Sequence, residues 1–289
     1  MRPKYNWPSI IVLTLSPIAA AVLIPWAAVK QGFTAFEWSM FVLFMFMTGL
    51  SISAGYHRLW SHKSYKSALL PRIFYAVWGA CSLQNSVLHW ASDHRRHHRH
   101  TDDNHLDPYS AKRGFWFSHM GWILREHESG KDDFSNVKDL EQDPVVRWQH
   151  RYYIPIAVAT NVGIPLALGF WHGRWWGCLL LCGLLRMVLN HHFTFCINSL
   201  AHIWGSQPYS TANTSRDSNL IALLTYGEGY HNYHHCFQHD YRNGVKWWHY
   251  DPAKWVIAVC SWVGLASDLK RTPRETISAA LERRQAAAA

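Results

Sequence analysis

WSMFVLFMFMTGLSISAGYHRLWSH, running from Trp38 to His62, is the stretch that decides the fold. Trp38 to Tyr56 carries no charge and is long enough to cross a hydrocarbon layer of roughly 30 Å. It runs without a break into His57-Arg58-Leu59-Trp60-Ser61-His62. A span that leaves lipid directly into histidine places the chemistry at the membrane surface.

Three more apolar runs lie outward from this one. Residues 10–29 carry no charge, 154–171 form the third run, and 175–197 form a fourth that contains Arg186. Pro17, Pro25, Pro155 and Pro165 predict kinks, which membrane helices tolerate. Short links, Lys30 to Glu37 and His172 to Arg174, pair the spans as two hairpins. Most Lys and Arg fall in 57–153 and 201–289, so the positive-inside rule predicts that these segments are cytoplasmic. The expected architecture is all-α and integral to the membrane. It has four transmembrane helices in two hairpins, with a cytoplasmic helical cap, as one domain over 1–289. Leu69 to Leu88 and Trp255 to Ala266 read as helices lying at the interface. Gln285 to Ala289 read as a disordered end.

Composition agrees. Hydrophobic residues make up 49% and charged residues 16%, below the charged share of ordinary soluble proteins. Mean hydropathy is only −0.16, so a large polar part must offset the spans. The 17 Trp are expected mainly as interface anchors. A net charge of +9 suits an anionic membrane surface, and the spans argue against a nucleic-acid partner. The six Cys include no C-x-x-C pair, which leaves no disulfide framework and no zinc-finger spacing.

Histidine is the unusual residue, with 20 copies. Four clusters fall in the polar segments or at the ends of spans. They are His57 with His62, His94 with His97 and His98, Asn198 with His202, and His231 with His234 and His235. Residues three and four apart share a helix face, so each of the last three clusters presents one side. His57 and His62 are five apart, which suits a helix end. Nine imidazoles exceed the needs of one metal and fit two. Imidazole suits Zn, Cu, Fe and Ni, and no Cys or carboxylate lies within the clusters. Asp93, Asp107, Glu228 and Asp240 flank them and are expected to orient the rings. His89, His100, His119, His127, His150, His172, His191, His192, His239 and His249 are expected to be ordinary core or surface residues. A metal transporter would place His or acidic groups at the middle of its spans, and the first three spans have none.

These motifs resemble the histidine boxes of the membrane fatty acyl desaturases, closest to the stearoyl-CoA, or delta-9, branch. HRLWSHKSYK (His57–Lys66) looks like the first box and WASDHRRHH (Trp90–His98) like the second. The likeness continues through HLDP (His105–Pro108), RGFWFSHMGW (Arg113–Trp122), NSLAH (Asn198–His202) and GEGYHNYHH (Gly227–His235). It implies two ferrous ions. One would be held by His57, His62, His94, His98 and His234. The other would be held by His97, His202, His231 and His235, with Asn198 reaching it through a water. It implies an oxygen-dependent desaturase that puts a cis double bond into a long saturated acyl chain carried as acyl-CoA. Phospholipid-bound chains are the second choice of carrier, and a di-iron hydroxylase or alkane monooxygenase is the alternative reaction. Dioxygen and membrane lipid are further partners. Too few residues follow His235 to encode an attached carrier domain, so electrons are expected from a separate ferredoxin, cytochrome b5 or flavin reductase.

Substrate contacts are expected at Asn85, Asp93 and Arg125, near the second box. Arg95, Arg96, Lys112 and Arg113 are further cations for an anionic carrier. Ser92 stands where the family often has Arg, and Gln238 follows Phe237 where it often has Pro. Phe41, Met45 and Ile52 share a face of the second span and are expected to line the acyl tunnel.

Overall fold

The computed structural model describes residues 4–287. Helix α1 (Trp7–Gln31) starts at Asn6, whose side chain accepts the Ser9 amide, and ends at Gly32 with φ +65°. After three linking residues comes α2 (Ala35–Ser61). Thr34 and Glu37 form a reciprocal capping box at its start. Helices α3 (Leu69–Ala80), α4 (Val87–His100) and α5 (Pro144–Arg151) follow. The third and fourth long apolar helices are α6 (Tyr153–Trp171) and α7 (Trp175–Ile203). The tail contains α8 (Asn219–Leu224), α9 (His231–Cys236), α10 (Pro252–Trp262) and α11 (Arg274–Ala286). A two-residue antiparallel ladder joins β1 (Lys66–Ser67) to β2 (Ala266–Ser267) and ties the exit of α2 to the tail.

The architecture is mostly helical, and α1, α2, α6 and α7 are long and apolar enough to cross a membrane. The outward side chains of α1, among them Ile11, Leu15, Ile18 and Val22, are exposed, as lipid contact requires. Gln285 and Ala286 lie in α11, against the expectation of a disordered end there; 288 and 289 lie outside the described residues. The Leu69–Leu88 helix stops at Ala80. Leu83 (φ +54°) and Asn85 (φ +77°) then turn the chain sharply before α4. Helix α3 is two-faced, with Leu69, Leu70, Ile73 and Phe74 outside and Tyr75, Ala76 and Gly79 buried.

The last eleven residues of α2, Ser51–Ser61, wind with the wider i→i+5 hydrogen bonding of a π-helix. The His62 amide donates to the His57 carbonyl at 3.0 Å. In that winding, residues five apart share a face, so His57 and His62, which caps the helix, point the same way at the helix end that their spacing suggested.

Arg186 of α7 is fully buried. Its guanidinium donates to the carbonyls of Cys81 (2.7 Å) and Cys182 (2.9 Å) and to the Asn161 side chain. Carbonyl dipoles from three elements thus satisfy the one charge that interrupts this apolar helix.

The two short links meet. Arg174 Nε lies 3.2 Å from Glu37 Oε1, and Arg174 also donates to Gly32 O at 2.5 Å. His172 Nε2 is 3.0 Å from Thr34 Oγ1, and its ring sits 4.5 Å from that of Phe36. Glu37 is wholly buried, so removing its cation leaves an uncompensated carboxylate. Arg174→Ala is therefore expected to cost about 3 kcal/mol of stability, read as a lowered melting temperature, and to leave turnover in cold-prepared protein within about twofold, since Glu37 lies about 30 Å from His57 along α2. His172→Ala removes one hydrogen bond and should cost about 1 kcal/mol. Equal melting temperatures for the two variants would contradict the ranking.

Candidate metal centre

Each cluster of histidines reaches the centre from a different element. His57 and His62 come from the end of α2, His94, His97 and His98 from α4, His202 from the end of α7, and His231, His234 and His235 from α9. They meet in two groups. His57, His62, His94, His98 and His234 form one, and His97, His202, His231 and His235 the other. Within each group the candidate ligand nitrogens all lie within 4.8 Å of one another.

The rings present Nε2 inward. His57 and His234 approach at 3.0 Å, His62 and His94 at 2.8 Å, and His98 and His234 at 3.0 Å. In the second group His97 and His235 approach at 3.3 Å, and His231 lies 3.1 Å from both His202 and His235. A hydrogen between two such nitrogens serves only one pair, and the remaining lone pairs repel. Burial pushes the basicity of His62, His94, His98, His231, His234 and His235 well below that of a free imidazole, and the neighbouring charges lower it further. Neutral rings with converging lone pairs are the donor set that a cation satisfies. The residues fit a pair of metal ions.

The outward nitrogens of four of these rings meet a polar partner. His97 Nδ1 is 2.9 Å from Asp107 Oδ1, and His57 Nδ1 is 2.8 Å from Glu228 Oε2. His202 Nδ1 pairs with Thr214 Oγ1 at 2.9 Å, and that hydroxyl donates to Asp102 at 2.6 Å. Tyr109 OH is 3.3 Å from His94 Nδ1. Trp90 stacks on His94 at 4.8 Å, a role beyond that of an anchor. Two of the four flanking acids therefore orient rings, and two do not. Asp240 instead accepts from Tyr233 OH (2.8 Å) and Arg242. Asp93 lines a cavity, and burial pushes its carboxyl up to about 7 against the pull of Arg96. Tyr109, Thr214 and Asp102 are contacts that no spacing announced.

Glu228 faces four different residues at once. It accepts from Arg58 Nη2 (3.0 Å), Asn243 Nδ2 (2.7 Å) and the Ser53 hydroxyl, beside His57. Burial alone would raise its pKa, but His57, Arg58 and these donors outweigh that and hold it at about 2.

A cavity of about 1090 Å³ reaches the centre, with His57, His94, His97, His231 and Asn198 on its wall. Asn198 lies one turn before His202. Asn85, Asp93 and Arg125 line the same space, as does Ile52. Phe41 and Met45 are not on this wall. Phe41 packs on the cluster of Phe44, Cys178 and Cys182. The Met45 sulfur accepts from Asn190 at 3.3 Å, and its carbonyl accepts from Tyr226 OH at 2.8 Å. Helical spacing put them on one face, but neighbouring helices occupy that face. His89, His127 and His191 also line the cavity, so three of the histidines expected to be ordinary border the site. At the mouth, a short N-terminal strap pairs Asn6 N with Leu124 O (3.0 Å) and Lys4 O with Glu126 N (2.9 Å). Lys4 and Asn6 thereby join the wall.

The profile of the fatty acid desaturase family matches residues 35–266, from the second span to β2. The chain belongs to that family. An acyl-CoA desaturase 1 of Saccharomyces cerevisiae is 41% identical over 96% of this chain and 54% of its own length. A probable acyl-CoA desaturase of Schizosaccharomyces pombe is 44% identical over 82% of this chain and 49% of its own length. This member of the family thus spans about half the length of those two relatives. Stearoyl-CoA desaturase 5 of Homo sapiens is 36% identical over 96% of this chain and 84% of its own length.

Proposed function

We propose that this chain is an oxygen-dependent fatty acyl-CoA desaturase that places a cis double bond, at the delta-9 position, in a long saturated chain. One observation carries the reading: nine histidines converge in two groups, and four of them, His57, His94, His97 and His231, face a cavity large enough for an acyl chain. The relatives' names, acyl-CoA and stearoyl-CoA desaturase, support the carrier and the position.

An unactivated methylene has no acidic proton and no leaving group, so no side chain can attack it. Two iron ions in the histidine groups would supply the oxidising power. Overall, two hydrogens leave the chain and combine with dioxygen, two outside electrons and two protons to give two waters. The protein's own part is placement. The cavity wall holds one pair of carbons against the centre, the buried rings exclude water, and Glu228 and Asp107 keep His57 and His97 turned inward. Asn198 would act through a water. Spans α1 with α2 and α6 with α7 would form two hairpins. The histidine-bearing cap would lie on the cytoplasmic side, with the whole chain as one domain. Electrons would come from a separate donor protein.

The test is gas chromatography of products from purified, reconstituted protein with a reduced donor, given labelled stearoyl-CoA or labelled phosphatidylcholine. A delta-9 monoene from stearoyl-CoA is expected. A hydroxylated product would assign the chain to hydroxylation, and desaturation of the phospholipid alone would exclude the acyl-CoA carrier. The same assay addresses chain length. If the chain's methyl end approaches Met45 beyond Ile52, Met45→Ala and Phe41→Ala should shift the products toward longer chains. An unchanged profile in both makes them packing residues.

A further inference from the structure

The loop between α7 and α8, residues 204–218, carries no histidine, yet every ring of the four-histidine group is tied to it. Its two ends are clipped together, Ser206 N to Asp217 O at 3.0 Å and Asp217 N to Ser206 O at 2.7 Å. Thr214 Oγ1 lies 2.9 Å from His202 Nδ1 and donates to Asp102 at 2.6 Å, and Asp102 also accepts the Thr214 amide at 2.7 Å. Asp102 is buried, and its amide donates at 3.0 Å to Asp107, the carboxylate that stands behind His97. Asn232, the neighbour of His231, accepts the Tyr209 amide at 2.9 Å and donates to the carbonyls of Ser210 (2.7 Å) and Ser215 (3.0 Å). Asp217 accepts the amides of Asn232 (2.8 Å) and Tyr233 (3.1 Å) in the first turn of α9, the helix that bears His231 and His235.

The five-histidine group is anchored elsewhere. Its His57 leans on Glu228, which Arg58 and Asn243 hold, and Arg58 in turn meets Asp251 at 2.9 Å. None of these residues lies on the 204–218 loop. Helices α4 and α9 give rings to both groups, but His202, the ring that α7 brings to the centre, enters the four-histidine group alone. That group has one imidazole fewer, so each ring is a larger share of what could hold a cation there.

The direction of the hydrogens gives the relay its consequence. The single hydrogen of the Thr214 hydroxyl goes to Asp102, so only lone pairs face His202. His202 Nδ1 must then carry a hydrogen, which leaves the lone pair of Nε2 turned toward His231 and the rest of the group. Without the hydroxyl the ring is free to take the other tautomer, with an N–H where a cation would sit. We propose that Thr214 is a positioning residue for the four-histidine group alone. Its relay to Asp102 fixes His202 as the metal-accepting tautomer, and the loop that carries it sets the occupancy of that metal position separately from the other. The proposal rests on the two-iron reading above.

The test is an anaerobic titration of the purified, metal-stripped full chain in detergent with ferrous iron, counting the iron retained per chain. It needs neither an acyl substrate nor an electron donor. The wild type is expected to hold about two irons, one for each histidine group. Thr214→Val keeps the shape of the side chain and loses the hydroxyl. It is expected to hold the first iron as tightly as the wild type and the second about 10- to 100-fold more weakly, as loss of a group behind a metal ligand does. Thr214→Ser, which keeps the hydroxyl, should restore the second. A valine variant that holds both irons at wild-type affinity, that loses both together, or that serine does not rescue overturns the proposal and leaves the two-iron reading standing. A wild-type chain that takes no more than a single iron overturns both.

Discussion

His94→Ala and His234→Ala are each expected to reduce desaturation by at least about a hundredfold while the protein remains in the membrane. Both rings belong to the five-histidine group, where His94 meets His62 at 2.8 Å and His234 meets both His57 and His98 at 3.0 Å. Removing one leaves its neighbours' lone pairs without a fixed geometry and opens a hole in a buried wall. Iron content per chain should fall with activity, because binding needs the full convergent set. The four apolar spans are untouched, so insertion should not change. His172→Ala, on the links between spans, is the control. The ligand assignment is wrong if both variants keep a full iron load and normal turnover.

Glu228→Gln is expected to be nearly as severe, through stability. The carboxylate faces Arg58, Asn243, Ser53 and His57, and Arg58 is itself buried. A Gln keeps one acceptor oxygen and turns an NH₂ toward groups that donate. Breaking a buried pair in this way costs about 3–5 kcal/mol, which corresponds to a melting-temperature drop on the order of 10 °C for a chain of this size. Metal should also be lost, since His57 loses the partner that turns it inward. Acid provides a second readout. The Glu228 carboxyl is held at about 2 against an ordinary 4.5, so its contribution is fully present above the ordinary value. It is lost as pH falls through the folded value, and amounts to about 3 kcal/mol. The wild type should therefore lose stability relative to Glu228→Gln between those two pH values. Parallel pH profiles with equal melting temperatures would remove Glu228 from this role.

The four spans were legible in the sequence because each is a local run of apolar residues whose length is set by the bilayer. The clusters around His94 and His231 were legible for the same reason, since spacings of three and four fix a shared face whatever packs on it. The pair His57 and His62 was legible as a cluster at a helix end, but not in how that end winds. Its spacing of five pointed to a helix end, which is where His62 caps α2, and the i→i+5 winding that turns both rings the same way came only with the fold. The sequence by itself thus determined the spans, the clusters and the family likeness. The tertiary structure decided which groups stand behind the rings. Asp107 and Glu228 do so while Asp93 and Asp240 do not, and Tyr109 and the Thr214–Asp102 pair enter from segments with no motif. It also decided that Arg95 and Arg96 are committed to carbonyls and Asp139 while Arg113 stacks on Phe117, and that Phe41 and Met45 pack between helices rather than on the cavity wall. The physical reason is the same in each case. Periodicity tells which residues share a face, but the neighbour that occupies that face comes from a distant part of the chain, and only folding brings it there.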